Sequence, residues 1–76
     1  MKLPMRTVMY ATVQQIRPCN LLVCDHSTDQ EVLVHTANAR YFSNGDDVCI
    51  RFNGIMTMSI PPQITATCIS RLTCRF

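Results

Sequence analysis

Cysteine and histidine side chains are the residues of this 76-residue chain best suited to holding a metal ion. The run Cys24-Asp25-His26, together with His35 and Cys19, offers ligand types that zinc accepts. Structural zinc sites usually show paired short spacings such as Cys-x-x-Cys, and no such pair occurs in this sequence. The pattern favours a hairpin turn with exposed histidines, and we expect no metal and no other cofactor.

A catalytic thiol needs a base beside it and an electropositive setting. Cys24 and His26 share one side only if their strand continues between them, whereas the polar run 26–29 indicates a turn. Asp46 and Asp47 are neighbours whose carboxylates diverge on a strand, so they are not a catalytic pair. With two glycines in the chain there is no glycine-rich phosphate loop. We predict no catalytic residue and no enzyme activity.

The cysteine count gives an expectation about redox state. An odd number without a secretion signal argues against a disulfide framework, so we expect five free thiols. These are Cys19, Cys24, Cys49, Cys68 and Cys74. Arg6 interrupts the first apolar run before it reaches signal-peptide length, and no stretch approaches membrane-spanning length. We therefore expect a cytoplasmic protein with no membrane contact.

The length of the chain indicates its domain organisation, whereas its net charge does not identify a partner. A chain of 76 residues is one domain near the lower size limit for unaided folding. We place that domain at 7–72, with terminal tails at 1–6 and 73–76. The net charge of +2 neither demands nor excludes an anionic partner. We expect a monomer.

The strongest structural signal is the segment from Asn44 to Gly54. Val48, Ile50 and Phe52 alternate with polar residues between two turns, which predicts a half-buried strand. We expect Gly45 to have a positive φ in the first turn. Four further strands are predicted at 7–16, 21–24, 31–35 and 63–72. The alternation slips in the first and last of these, which indicates bulges.

The order of the elements predicts the fold class. Three meandering strands are followed by one short helical turn at 36–42, which Thr36 can cap, and then by two strands separated by a long loop. This order favours an all-β, five-stranded Greek-key barrel of the OB type, with an SH3-like barrel as the alternative. One shared core is expected to contain Val13, Val23, Val32, Val34, Val48, Ile50, Phe52, Ile64 and Ile69.

Several segments also suggest a relative. They are Asn20-Leu21-Leu22-Val23, 30–36, Gly45-Asp46-Asp47-Val48 and 56–64, within a likeness that runs from about Ala11 to Leu72. Together they resemble the YobA-like family of small barrel proteins from Gram-positive bacteria. The resemblance implies a bacterial β-barrel and supplies no catalytic residue, because no activity is established for that family. Its members often carry a secretion or lipoprotein signal, which this sequence lacks.

Two kinds of partner are consistent with such a barrel. Single-strand nucleic-acid binders combine a basic groove with aromatic platforms, but the second and third strands contain no aromatic residue. We therefore favour a protein, peptide or small ligand contacted through the loops 17–20 and 54–62, with single-stranded nucleic acid as the alternative. The candidate ligand-binding residues are Arg17, Asn20, Arg51, Met56 and Met58.

The methionine row at 56–60 is the least typical part of the second loop. Met56, Met58 and Ile60 alternate with Thr57 and Ser59, and methionine serves both cores and adaptable binding surfaces. Alternation alone fits either a cap on the barrel or an exposed lip. We expect Met58 to belong to a cap and Met56 to a lip.

Overall fold

The structure, a computed structural model, describes residues 6–72. Its strands are β1 (Val8–Ile16), β2 (Asn20–Asp25), β3 (Glu31–His35), β4 (Asp47–Phe52) and β5 (Gln63–Arg71). Between β3 and β4, a single 3₁₀ turn spans Ala39–Tyr41. The prediction of an all-β chain with one short helical turn at this point is confirmed.

The five strands close into a barrel in the order β1-β2-β3-β5-β4, with β4 returning to β1. Four of the neighbouring pairs are antiparallel. The fifth pair, β3 with β5, is parallel and short: Leu33 lies opposite Gln63 and His35 opposite Thr65. Closure gives each strand two neighbours, which removes the long unpaired edges of an open sheet.

Both predicted irregularities are present. The register of β1 against β2 shifts between Val13 and Gln15, and that of β4 against β5 shifts between Arg51 and Phe52. A bulge adds a residue to one strand and increases its coiling. Each shift therefore lets a nine-residue strand, β1 or β5, bend to serve two neighbours.

The interior is built from the apolar rows of all five strands. Eight of the nine expected core residues are buried, and the ninth, Ile69, packs against them from a half-buried position. The sequence prediction missed Met9, Ala11 and Leu21 on the strands and Ala39 and Phe42 in the connector. The connector thus adds two of its own side chains to the core.

The connector from β3 to β4 is held by local hydrogen bonds. Thr36 does not cap the 3₁₀ turn; Asn38 precedes the turn, and its N–H donates to Thr36 Oγ1 at 3.2 Å. Gly45 has a φ of +89°, as predicted, and its N–H donates to the carbonyl of Val13 at 2.7 Å. The left-handed residue thereby turns the chain into β4 against β1.

Arg71 fastens the end of β5 to this connector. Its Nε donates to Asp46 Oδ2 at 3.0 Å, and its Nη2 donates to the carbonyl oxygen of Tyr41. The guanidinium also lies 5.8 Å from the centre of the Phe42 ring, a cation–π distance. This arginine is therefore occupied by structural contacts.

Candidate binding site

The β4–β5 loop, residues 53–62, is ordered by its own polar groups. Thr57 N donates to the carbonyl of Gln63, and Gln63 N donates back to Thr57 Oγ1, both at 3.0 Å. Ser59 Oγ lies 2.8 Å from Thr57 Oγ1 and donates to the carbonyl of Pro61 at 2.8 Å. Leu33 N donates to the carbonyl of Pro62 at 2.9 Å, which joins the loop to β3.

Large apolar side chains project from this ordered loop into solvent. Met58 is 97% exposed, Ile60 is 99% exposed and Ile55 is 64% exposed. We call these three residues the apolar lip. Met56 instead is half-buried and packs against the core. The expectation that Met58 caps the barrel is wrong, because its side chain is in solvent, and Met56, which was expected in the lip, is half-buried instead.

Two depressions of about 290 and 420 Å³ lie at the parallel pairing of β3 and β5, and we call them together the seam groove. They share His35 and Thr65 and continue on one side to Cys19 and Thr36 and on the other to Thr57. Thr57 also lines the depression that contains Met58 and Ile60. The residues that line these three depressions thus extend from the β1–β2 turn to the apolar lip.

The seam groove is lined by neutral hydrogen-bonding groups. His35 Nε2 lies 2.8 Å from Gln63 Oε1 across the seam, so the imidazole donates to the amide oxygen. The amide nitrogen of Gln63 and the hydroxyl of the exposed Thr65 remain available to a ligand. No aspartate, glutamate, lysine or arginine lines either depression. The groove thus offers both donors and acceptors without a carboxylate, a lysine or an arginine.

The five candidate ligand-binding residues do not form one cluster. Arg17 is exposed at the β1–β2 turn, where its Nη2 donates to Gln15 Oε1 at 3.2 Å. Asn20 opens β2 opposite His35, and its Oδ1 is buried without a hydrogen-bond partner among residues 6–72. Arg51 lies on β4 opposite Cys68, outside the seam groove. Met56 and Met58 are in the β4–β5 loop, as described.

The residues considered for zinc lie at opposite ends of the β2–β3 hairpin, and Cys19 and His35 line one depression at the end away from the turn. Cys24 pairs with Glu31 near the turn, whereas His35 pairs with Asn20 at the far end. His26 joins a different group: Thr12 Oγ1 donates to Asp47 Oδ1 and accepts from His26 Nε2, both at 2.7 Å. In the described part of the chain, no three histidine, cysteine or acidic side chains converge on one point.

The described cysteines are free thiols, at positions 19, 24, 49 and 68, and Cys74 lies outside the described residues. Partial desolvation, followed by a 3.5 Å hydrogen bond to Asp29, raises the pKa of Cys24 above its ordinary value. A raised pKa lowers the thiolate fraction at neutral pH, so it opposes nucleophilic use of this cysteine.

Asp25 is a buried carboxylate, 1% exposed, at the end of β2. Arg6 Nη1 and Nη2 donate to its two oxygens at 2.7 and 2.8 Å, and Ser27 and Thr28 supply further donors. The hydrogen bond from Arg6 outweighs desolvation and holds the pKa of Asp25 well below its usual range. This ion pair fixes the β2–β3 turn, which lies beside the loop that carries the lip.

Comparisons with protein-family models, curated proteins and solved structures found no match. Among residues 6–72, no helix is long and apolar enough to cross a membrane.

The sequence reasoning missed Gln63 and Thr65 as site residues and placed His35 only on the surface. Their proximity depends on the parallel β3–β5 pairing, for which periodicity gives no signal. The exposure of Ile55 also had no sequence signature, because it lies outside the alternating row.

Proposed function

We propose that this chain is a non-enzymatic binding module of the OB type that contacts a protein partner through its β4–β5 loop. Support for the OB type comes from the strand order, since β1 pairs with both β2 and β4 while β3 and β5 run parallel. The loops after β1 and β4 are the edges that such barrels use for binding. The apolar lip lies on the second of these loops.

The exposure of Met58 and Ile60 carries the proposal. Two large apolar side chains are almost wholly in water, 97% and 99% exposed, although the loop backbone is held by hydrogen bonds. Contiguous exposed apolar surface marks interaction sites, and methionine adapts its shape to a partner. Because the loop is already ordered, little conformational entropy is lost when a partner covers it.

Single-stranded nucleic acid is the alternative, and fewer observations support it. The half-buried outer positions of β2 and β3 are Asn20, Leu22, Cys24, Leu33 and His35. The imidazole of His35 is the one ring among them, whereas single-strand binders stack successive bases on several aromatic side chains. Arg6 and Arg71 are bound to carboxylates. We propose further, on the sequence features alone, that the module acts as a cytoplasmic monomer.

Site-specific photo-crosslinking tests the protein-binding proposal. A benzophenone amino acid at position 58 should give one dominant nuclease-resistant adduct in an extract of the source cells. The same group at the exposed Ser70, on β5, is the matched control and should give at least ten-fold less. Ile60→Asp in the position-58 protein should remove the adduct without changing the unfolding midpoint.

Two outcomes would refute this proposal. Equal adducts from positions 58 and 70 would show that the lip has no special partner. A labelled oligothymidylate that binds with strong salt dependence and protects position 58 would support the nucleic-acid alternative, because phosphate contacts release counterions.

A further inference from the structure

We propose that Asn53-Gly54, which follows β4 directly, is a site of spontaneous deamidation and that its product places a carboxylate in the seam groove. The inference goes beyond the protein-binding function and does not rest on it. It depends on a contrast between the two Asn-Gly dipeptides of the chain. The backbone nitrogen that must react is free in Asn53-Gly54 and hydrogen-bonded in Asn44-Gly45.

Deamidation needs only an asparagine side chain, the backbone nitrogen that follows it, and water. The Gly54 nitrogen, after losing its proton to water, attacks Cγ of Asn53. An N–Cγ bond forms, the Cγ–Nδ2 bond breaks, and ammonia leaves. Water then opens the cyclic succinimide at either carbonyl and gives aspartate or isoaspartate. Asparagine is thermally labile, and a glycine after it lacks the Cβ that would hinder the attack.

The side chain of Asn53 is exposed and is held in a defined orientation. The N–H of Ile55 donates to Asn53 Oδ1 at 3.0 Å, which turns the carboxamide toward the residues that follow it. This donor also faces the oxygen on which negative charge develops during the attack, so it stabilises that charge. The N–H of Gly54 itself donates no hydrogen bond within residues 6–72. The reacting nitrogen is therefore free to lose its proton.

Asn44-Gly45 has the same sequence but a protected nitrogen. Its asparagine is exposed like Asn53, so exposure does not distinguish the two dipeptides. The N–H of Gly45, however, donates to the carbonyl of Val13 at 2.7 Å. A backbone N–H in such a hydrogen bond loses its proton to solvent only when the structure opens locally. Attack at Asn44 would thus require breaking the contact that holds this turn against β1.

The product would change the chemistry of the seam groove. Asn53 lines the smaller of its depressions together with His35 and Gln63, and no aspartate or glutamate lines either depression. Deamidation adds a negative charge at this place, which favours cationic ligands over anionic ones. Isoaspartate also inserts a methylene group into the backbone between β4 and the loop that carries the apolar lip.

Peptide mapping of the purified full chain, aged in mildly alkaline buffer, tests the inference with a control inside the same molecule. Trypsin cleaves after Arg40, Arg51 and Arg71, which separates the two dipeptides into peptides 41–51 and 52–71. In the folded protein, aspartate and isoaspartate should form about ten-fold faster or more in 52–71, because the hydrogen bond protects the other nitrogen. In urea, which frees both nitrogens, the two rates should agree within about two-fold.

Two variants separate the reaction from its consequence. Asn53→Gln lengthens the side chain by one methylene and should abolish the rapid reaction in 52–71 without changing 41–51. Asn53→Asp reproduces one product and keeps an acceptor for the N–H of Ile55, so the unfolding midpoint should be retained. The amide resonances of His35 and Gln63 should shift in this variant, because they line the same depression.

Three results would overturn the inference. The first is an equal or faster reaction at Asn44 in the folded protein. The second is a stable Asn53 in the folded protein when the chain in urea reacts. The third is an Asn53→Asp variant in which the resonances of His35 and Gln63 do not move, since the new charge would then lie outside the seam groove.

Discussion

Arg6 and Asp25 are joined across 19 sequence positions by two hydrogen bonds of 2.7 and 2.8 Å. The carboxylate is buried, whereas the arginine side chain is 38% exposed. The pair is therefore asymmetric: loss of the arginine leaves a buried charge, while loss of the carboxylate leaves a cation that water can reach. The residue just before the barrel thus helps to hold the β2–β3 turn.

Acid should weaken the barrel through this pair. The pKa of Asp25 is lowered on folding, so its stabilisation is complete above the unfolded-state value of about 3.9 and is lost as pH falls below it. We expect the free energy of unfolding to fall between about pH 5 and pH 2. Asp25→Asn should flatten that dependence, which urea titrations at several pH values measure. An unchanged slope in this variant would contradict the assignment.

Removal of either partner should lower stability, by unequal amounts. Asp25→Asn loses charge-assisted hydrogen bonds and should cost about 2 kcal/mol. Arg6→Ala leaves the carboxylate buried with only neutral donors and should cost about 3 kcal/mol. Arg17→Ala, an exposed arginine on the β1–β2 turn, is the control and should stay within about 0.5 kcal/mol. A larger loss of stability in Asp25→Asn than in Arg6→Ala would indicate that the Arg6 side chain is held loosely.

Replacing Gly45 by a β-branched residue should destabilise the barrel because of the backbone conformation alone. A Cβ added there meets no atom within 4 Å, so there is space for a side chain, but φ is +89°. We expect Gly45→Val to lower the free energy of unfolding by about 1–3 kcal/mol. Gly45→Asn should cost less, because asparagine tolerates left-handed backbone. Equal losses in the two variants, measured by urea denaturation, would indicate a steric cause instead.

The two methionines of the β4–β5 loop should respond oppositely to a charge. Met58→Asp should leave stability within about 0.5 kcal/mol because the side chain is in solvent. Met56→Asp should lower it by about 1–3 kcal/mol because this side chain packs against the core. Thermal and urea unfolding of the pair provide the comparison. A destabilised Met58→Asp would mean that the lip is covered within the monomer.

Unfolding should not depend on reductant or on chelator. Cys19, Cys24, Cys49 and Cys68 are unpaired, and no three potential ligands converge within residues 6–72. We expect the unfolding midpoint to stay the same with dithiothreitol or with EDTA. Loss of structure in EDTA would indicate a bound metal ion, with Cys24, His26 and His35 as its candidate ligands.

The strands were predictable because their signals are local. Val48, Ile50 and Phe52 alternate within one strand, and Gly45 precedes them where a turn requires a positive φ. The seam groove was not predictable in the same way. His35 and Gln63 meet only through parallel pairing of strands 28 positions apart, which sequence periodicity does not encode.

The β4–β5 loop shows a second limit of prediction from the sequence. Alternation correctly implies that neighbouring side chains point to different sides only when the chain is a strand. Residues 53–62 are not a strand, and hydrogen bonds from Thr57 and Ser59 set their path. Met56 and Met58 therefore lie in different environments although they occupy equivalent places in the pattern.

The hydrogen bonds that join the β4–β5 loop to the strands involve Thr57, Pro62 and Gln63, at the base of its tip, whereas Ser59 bonds only to Thr57 and Pro61 within the loop. Residues 58–60 contribute no backbone donor to the barrel among the hydrogen bonds of the described chain. The tip can therefore change in sequence or length while the strands keep their register, since exposed loop tips tolerate insertion well. The barrel is consequently a natural display scaffold, in which new recognition sequences can be grafted between Thr57 and Pro62.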